Sequence, residues 1–207
     1  MWNRTEDQIT LLFIRHGATE ANREHRYLGW TDEPLCEEGR QALARARGEG
    51  RYPGVELLFA SPMKRCLETG EILYPSKEPQ VIPEWREMDF GAFEGKNYRE
   101  LQTDQRYQDW IDSGGTLPFP EGEGREEFVE RCLLGWERMK TELARACRKK
   151  EGPVPAALVV HGGTIMALLS ELCGGEYFAY QIAAGRGYQC TLHPGRENGQ
   201  LEIVKKL

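Results

Sequence analysis

The chain has 207 residues and a formal net charge of −6, with 40% hydrophobic and 29% charged residues. This length predicts one domain, residues 1–207, with a substantial core. The negative charge and the lack of basic clusters exclude a nucleic-acid surface. No apolar run approaches the roughly 20 residues of a membrane span, so we expect no membrane partner. The polar first eight residues carry no signal-peptide pattern, and we expect a cytoplasmic location.

The six cysteines contain no Cys-x-x-Cys pair and have no histidine at metal-ligand spacing. Several of them lie among apolar residues, where a reduced cysteine behaves as a small hydrophobic side chain. The sequence therefore predicts no metal, no other cofactor and no structural disulfide. It makes no prediction about the oligomeric state.

The first half of the chain alternates strands with helices. A buried strand over 9–14 stops at Arg15-His16-Gly17. It is followed by a short helix over 19–24 with Thr19 as its cap, a loop over 27–35, and a helix over 37–50 with Leu35, Ala42, Leu43 and Ala46 on one face. A second buried strand over 55–60 ends at Ser61-Pro62. These two residues predict the cap and first position of a helix that runs to about residue 73.

The second half begins with a short strand over 79–83. It is followed by a packed loop over 85–91, helical pieces over 97–113, a loop over 114–124, and the longest helix over 125–149, in which Phe128, Cys132, Trp136, Met139, Leu143 and Cys147 recur at spacings of three and four. The last predicted elements are a buried strand over 156–160, a helix over 164–173, and strands over 189–193 and 201–205 around a turn at 194–199. This alternation predicts a three-layer α/β/α sandwich with a mostly parallel central sheet and a lid-like insertion at about 88–124.

Three of the buried strands end in residues suited to chemistry. In α/β sheets, ligands bind beyond the carboxyl ends of the strands. Here those ends carry Arg15 and His16, Ser61 with Arg65 following, and His161 with Gly162. Guanidinium groups and the N–H groups at helix starts both bind phosphate oxygens. The sequence therefore predicts one crevice built for a dianion.

The order and spacing of these motifs resemble the histidine phosphatase (phosphoglycerate mutase-like) superfamily. The resemblance covers nearly the whole chain and rests on Arg15-His16-Gly17-x-Thr19-Glu20-x-Asn22, Ser61-Pro62-x-x-Arg65, Glu87, and His161-Gly162-Gly163. It implies a phosphoglycerate mutase-like fold and a small phosphorylated substrate.

The resemblance also implies the role of each site residue. His16 is expected to attack phosphorus and become a phosphohistidine, while Glu87 donates a proton to the leaving oxygen. The remaining expected ligands of the phosphoryl oxygens are Arg15, Arg65, His161, Asn22 and the backbone N–H of Gly162. Neutral His16 is available near pH 7, with its second nitrogen donating to a backbone carbonyl. His161 is expected to be charged beside the bound dianion. Without the rest of the site, the interpretation of Glu87 would be either a solvated loop carboxylate or a salt-bridge partner of Arg86.

Several local stretches resemble the alpha-ribazole phosphatase branch, which dephosphorylates alpha-ribazole 5′-phosphate in cobalamin biosynthesis. They are Tyr27-x-Gly29-x-Thr31-Asp32-x-Pro34-Leu35, the segment 86–95, and Tyr107-x-x-Trp110 with Pro118-Phe119-Pro120. The alternatives are a phosphatase of broad specificity, a phosphoglycerate mutase-type transferase, and a catalytically dead protein-binding relative. Cys36 and Gly124 depart from the family pattern, which commonly has Thr or Ser and Ser, respectively, at these positions.

Overall fold

The computed structural model describes residues 8–196 and 200–207 and contains one six-stranded sheet. Its strands are β1 (Ile9–Arg15), β2 (Leu57–Ala60), β3 (Gln80–Val81), β4 (Ala156–Val160), β5 (Gly187–His193) and β6 (Gln200–Lys206). They lie in the order β3-β2-β4-β1-β5-β6. The first four strands are mutually parallel. β5 pairs antiparallel with β1, and β6 pairs antiparallel with β5. The predicted mostly parallel sheet is confirmed, and part of the predicted turn at 194–199 lies outside the described residues.

Helices cover both faces of this sheet. They are α1 (Glu20–Arg23), α2 (Glu37–Gly48), α3 (Lys64–Leu73), α4 (Tyr98–Leu101), α5 (Gln105–Asp112), α6 (Arg125–Lys150) and α7 (Gly162–Cys173). Because successive side chains of a strand point to opposite faces, Phe13 of β1 packs with residues of α6 and α7, whereas Ile14 packs with residues of α2 and α3. The result is the predicted α/β/α layering, with a core on each side of the sheet.

The start of α3 differs from the prediction. The helix begins at Lys64 rather than at Pro62, and Ser61 does not cap it. The Ser61 hydroxyl lies 2.7 Å from Nε2 of His161, and the backbone N–H of Lys64 donates instead to Asp32 Oδ1 at 2.7 Å. The oxygen that local sequence assigns to the cap therefore bonds to a ring 100 residues away and keeps only a long local contact, with the Met63 N–H at 3.4 Å.

Two other local predictions on helices need comment. Ala42 of α2 is exposed, because the buried stripe of that helix runs through Gly39, Leu43 and Ala46. Cys36 does cap α2, since its sulfur accepts the Gly39 N–H at 3.4 Å. Gly124 is the residue before α6 and offers no side chain to cap it.

The segment 88–124 contributes a short 3₁₀ turn, α4, α5 and a loop. Its aromatic side chains and Tyr27 form one cluster, in which neighbouring ring centroids are 4.8–6.3 Å apart: Tyr27, Phe90, Phe93, Tyr107, Trp110 and Phe119. Edge-to-face and offset rings at these separations attract one another. We call this group the lid cluster.

Five cysteines are free thiols: Cys36, Cys66, Cys132, Cys173 and Cys190. Among the residues that the structure describes, no helix has the length and apolar character needed to cross a bilayer.

Candidate active site

The parallel pairing of β1, β2 and β4 brings their carboxyl ends together. Arg15 is in register with Val160, the His16 N–H donates to Val160 O at 3.0 Å, and the Ser61 N–H donates to Val159 O at 3.0 Å. The imidazole rings of His16 and His161 consequently lie 5.2 Å apart, centroid to centroid. Both rings are buried.

His16 is held with one nitrogen available for attack. Its Nδ1 lies 2.7 Å from the carbonyl oxygen of Gly17. Because a carbonyl only accepts hydrogen bonds, Nδ1 carries the proton and Nε2 keeps its lone pair. Burial, reinforced by the positive charges of Arg65 and Arg15, lowers the pKa of His16 well below 6.5. The ring is therefore neutral at pH 7, which a nucleophile requires.

His161 precedes α7, and its Nε2 bonds to the Ser61 hydroxyl. Burial, followed by the neighbouring Arg65, His16 and Arg15 side chains, lowers the pKa of His161 well below 6.5. The expected charge on this ring does not follow from the protein alone, because burial and the neighbouring arginines oppose protonation. A phosphate dianion beside the ring has the opposite effect and favours the protonated form.

The two arginines are held by backbone carbonyls, and the Nε–H of each is left without a partner among the described residues. Arg65 is fully buried and donates to Thr31 O at 2.9 Å and to Gly29 O at 2.8 Å. Arg15 donates to Ile182 O at 2.6 Å. The Nε atoms of both arginines are buried and have no hydrogen-bond partner within the described residues. Buried unpaired donors are costly, and two of them beside a nucleophilic ring fit an anionic substrate.

Asn22 and Gly162 lie at helix starts beside these groups. The Asn22 side-chain oxygen accepts the Thr19 N–H at 3.4 Å in a capping box, which leaves its amide NH₂ as a donor. Gly162 is the first residue of α7, where backbone N–H groups lack intrahelical partners. A Cβ atom at Gly162 would lie 3.5 Å from Arg15 Nε, so this helix start faces the guanidinium.

Glu87 is buried and its environment favours the protonated acid. Burial raises the pKa of this carboxyl above 4.5, against the effects of the Met88 N–H, Arg65 and Arg15. Its Oε1 accepts the Met88 N–H at 2.9 Å. The alternative pairing with Arg86 does not form: the Arg86 guanidinium lies 4.0 Å over the Trp30 ring and donates to Trp30 O. A raised pKa suits a group that protonates a leaving oxygen.

A cavity of about 380 Å³ opens beside this group. Its polar lining, which we call the polar wall, is formed by Arg15, His16, Asn22, Glu87, Gly162 and Gly163. Its apolar lining includes Tyr27, Met88, Phe90, Trp110, Phe119, Met166, Tyr177, Phe178 and Ile182. Arg65 and His161 are fully buried and do not line the cavity among the described residues. The arrangement can bind a phosphoryl group at one end and a flat apolar group at the other.

Sequence reasoning missed several residues of this site. Tyr177 and Phe178 belong to a 3₁₀ turn, Tyr177–Tyr180, which no helical or strand periodicity in the sequence predicts. Glu94 was read only as a negative charge, yet its Oε1 accepts the N–H groups of Gly29 (2.9 Å) and Thr31 (3.0 Å). Since the carbonyls of the same two residues hold Arg65, Glu94 supports the phosphate end of the site. Glu94 lies in the segment 86–95 that resembles the alpha-ribazole phosphatase branch, and this was the available signal for it; Tyr177 and Phe178 belong to no motif of the sequence analysis.

The comparisons with known proteins agree with this geometry. The model of the histidine phosphatase superfamily (branch 1) matches residues 11–200. The chain is 30% identical over 168 residues to the uncharacterized phosphatase PhoE of Bacillus subtilis, covering 79% of this chain and 77% of the relative. It is 27% identical over 200 residues to the 2,3-bisphosphoglycerate-dependent phosphoglycerate mutase of Neisseria meningitidis, covering 80% and 86%.

Among solved structures, a putative alpha-ribazole-5′-P phosphatase from Escherichia coli superposes with a TM-score of 0.77. The match covers 95% of this chain and 94% of that chain at 23% sequence identity. At this identity the likeness establishes the phosphoglycerate mutase-like fold alone.

Proposed function

The chain belongs to the histidine phosphatase superfamily, and we propose that it is a metal-independent phosphomonoesterase that acts through a phosphohistidine on His16. The observation that carries this proposal is the Nδ1 contact of His16 with Gly17 O, which leaves Nε2 unprotonated beside two unpaired arginine N–H groups. In phosphoryl transfer most of the catalysis is positioning and charge stabilisation, and cationic side chains supply both.

The reaction has two balanced steps. In the first, His16 Nε2 bonds to phosphorus, the bond from phosphorus to the ester oxygen breaks, and Glu87 gives its proton to that oxygen. In the second, water attacks the phosphorus of the phosphohistidine and Glu87 takes a proton from the water. The bond from phosphorus to His16 Nε2 breaks, inorganic phosphate is released, and His16 is neutral again. Arg15, Arg65, His161, Asn22 and the Gly162 N–H bind the phosphoryl oxygens throughout.

The proposed substrate is alpha-ribazole 5′-phosphate, a benzimidazole riboside with one phosphate monoester. Its flat apolar ring matches the aromatic wall of the cavity, where Trp110 and Phe119 lie 4.8 Å apart, centroid to centroid. Aromatic rings in such walls bind a flat apolar group by stacking and by burial of its surface. A phosphatase of broad specificity with a preference for aromatic phosphomonoesters is the nearest alternative.

A phosphoglycerate mutase-type transferase is the second candidate, because curated relatives carry that activity in their names. A mutase must bind a second anionic group, and the cavity offers Arg26 and Arg125 for it. Arg26 pairs with Glu24 and Glu100 at 2.5 and 2.6 Å, and Arg125 donates to the carbonyls of the 114–115 segment. The charge of Arg26 is compensated by two carboxylates, and the guanidinium of Arg125 is held by backbone carbonyls, so neither is a free cation aimed at a second anionic group, which favours hydrolysis. A catalytically dead relative is disfavoured, since every expected catalytic position is filled.

The test is phosphate release, in chelator, from alpha-ribazole 5′-phosphate, 3-phosphoglycerate, sugar phosphates and an aryl phosphate. A kcat/KM for alpha-ribazole 5′-phosphate far above the others supports the proposed substrate. Comparable rates across the panel keep the phosphohistidine mechanism and favour the broad-specificity alternative. Interconversion of phosphoglycerates with 2,3-bisphosphoglycerate favours the mutase. No release without added metal contradicts the proposal.

A further inference from the structure

Arg131 of α6 lies outside the expected catalytic set, yet its guanidinium contacts the loop that carries Glu87. Its Nη1 donates to Glu84 O and to Arg86 O, each at 2.7 Å, and its Nη2 donates to Glu87 O at 3.4 Å. One rigid, planar side chain thus holds three carbonyls of residues 84–89, which we call the acid loop. Lysine, with a point charge on a flexible stem, cannot reproduce this geometry.

The second member of the arrangement is Glu123, whose side chain is only 8% exposed. Its two oxygens accept from Nε and Nη2 of Arg131 at 2.9 and 2.7 Å. Glu123 also bonds to the backbone on the far side of Glu87: its Oε2 accepts the Asp89 N–H at 3.2 Å, and its own N–H donates to Asp89 O at 2.9 Å. The Arg131–Glu123 pair therefore hydrogen-bonds to the backbone of the acid loop on both sides of Glu87.

We propose that Arg131 and Glu123 are positioning residues that hold the Glu87 carboxyl where it can protonate the leaving oxygen. This inference rests on the proposed function. The side chains of Arg131 and Glu123 are 23% and 8% exposed. An ion pair largely withdrawn from water contributes little net stability compared with apolar packing, so we assign the pair a role in geometry. Proton transfer demands a donor within hydrogen-bond reach, and a displacement of about 1 Å costs on the order of 10²-fold in rate.

The same pair links the acid to the substrate-binding wall. The Phe119 N–H donates to Glu123 O at 3.2 Å, and the Phe119 ring lines the cavity. Contact between the substrate and Phe119 therefore acts on the short segment that holds the acid loop. This connection places substrate recognition and proton donation in one hydrogen-bonded unit.

The experiment compares Arg131→Lys with the unaltered enzyme on an alkyl phosphate, whose leaving oxygen needs a proton, and on dinitrophenyl phosphate, whose leaving group does not. The quantity compared is kcat/KM, which covers only the steps up to formation of the phosphohistidine. We expect kcat/KM on the alkyl phosphate to fall on the order of 10²-fold and kcat/KM on the dinitrophenyl ester to stay within about threefold. Glu123→Gln, which removes the charge and keeps an acceptor oxygen, should show the same pattern more weakly. Activity on the dinitrophenyl ester also reports that each variant is folded.

The matched control is Arg138→Lys, which lies seven residues, or about two helical turns, further along α6. Arg138 pairs with the Glu84 side chain at 3.1 Å and is half exposed. It should leave both substrates unaffected. In the Glu87→Gln background, Arg131→Lys should add little further loss on the alkyl phosphate, because the group it positions is already gone.

Equal losses on both substrates, or full additivity with Glu87→Gln, would overturn the positioning role. The parent proposal has a separate readout. If Glu87→Gln itself slows both substrates equally, then Glu87 is not the acid, and the inference about its positioning falls with that assignment.

Discussion

The two walls of the cavity are built by different physical means. The polar wall is fixed by directional hydrogen bonds, such as those from His16 to Gly17 O and from Arg65 to Gly29 O. The lid cluster is held by contacts between rings, as between Phe90 and Phe119 at 4.9 Å. Directional bonds fix atoms to fractions of an ångström, whereas apolar packing tolerates substitution when volume is kept. Under the proposed function, we therefore expect the polar wall to carry the chemistry and the lid cluster to set the substrate preference.

This comparison sets the expected scale of each mutation. A change at a polar-wall residue that contacts the phosphoryl group should reduce kcat for every phosphomonoester, because all of them share that group. A change that acts on Glu87 should depend on the leaving group. A change in the lid cluster should act mainly on KM, and only for substrates with a group large enough to reach it.

The largest effect is expected for His16→Ala. Removal of the imidazole removes the atom that bonds to phosphorus, so turnover should vanish for every substrate and no phosphoenzyme should form. Rapid acid-free quenching after exposure to labelled substrate measures the phosphohistidine. His25→Asn is the control, since His25 is an exposed histidine whose φ of 54° asparagine also adopts. Near-normal turnover by His16→Ala would exclude the mechanism.

Gly163→Ala should have the next largest effect. A Cβ atom at this position would lie 2.5 Å from Glu87 Oε1 and 3.2 Å from the Phe128 ring, so the carboxyl must move. We expect kcat for alkyl phosphates to fall on the order of 10²-fold, through displacement of the acid. Gly48→Ala is the matched control, because a Cβ atom there meets nothing within 4 Å. An unchanged alkyl phosphate rate would mean that the present position of Glu87 is not the reactive one.

The polar wall was largely accessible from sequence, and the reason is local. A strand buried on both faces reads as a continuous apolar run, and its end at Arg15 and His16 marks the site directly. The parallel order then brings His161 to the same edge. Ser61 shows the limit: its sequence context fits a helix cap, but His161, 100 residues away, takes the hydroxyl. Local rules fail where a distant partner competes for the same atom.

The apolar lining of the cavity and the contacts of Arg131 and Glu123 with the acid loop were much harder to predict from the sequence. Phe119 and Tyr177 lie 58 positions apart in sequence, and no periodicity predicts that both line one cavity. Arg131 falls outside the apolar stripe of its helix, and on that basis it reads as a surface residue. Its burial depends on Glu123 and on three carbonyls of a separate loop. Such contacts are set by tertiary packing, which residue spacing does not encode.

Phe119→Leu tests the lid side of the comparison and should have a smaller effect. The Phe119 backbone bond to Glu123 is kept, and only the ring is lost. We expect KM for an aryl phosphate to rise about tenfold, in line with the 0.5–1.5 kcal/mol typical of an aromatic pair, while glucose 6-phosphate changes by less than about twofold. Steady-state kinetics on the two substrates measure the difference. Tyr98→Leu, an exposed aromatic of the same lid segment, should change neither. A parallel loss of kcat on both substrates would show that the two walls are not separable.

The smallest expected effect is that of Glu87→Gln on the free energy of unfolding, which should increase. Burial raises the pKa of Glu87 in the folded protein above 4.5, so the ionised form is disfavoured there relative to the unfolded chain. Below the ordinary pKa both states are protonated and the two proteins should unfold alike. As the pH rises through the raised pKa, the unaltered protein loses stability and the glutamine variant does not.

The free energy of unfolding in urea at about pH 4 and about pH 8 measures this difference, which should appear only at the higher pH. Glu130→Gln on the exposed face of α6 is the control and should show no such pH dependence. Phe119→Leu, by contrast, should lower stability at both pH values, because Phe119 is buried and loses apolar contacts. On this prediction, the buried carboxyl of Glu87 lowers the stability of the fold in order to supply a proton donor. The lid cluster, by contrast, stabilises the fold and is proposed to select the substrate. A Glu87→Gln variant that is less stable at the higher pH would show that the ionised carboxylate is stabilised in the fold and is not held ready to give up a proton.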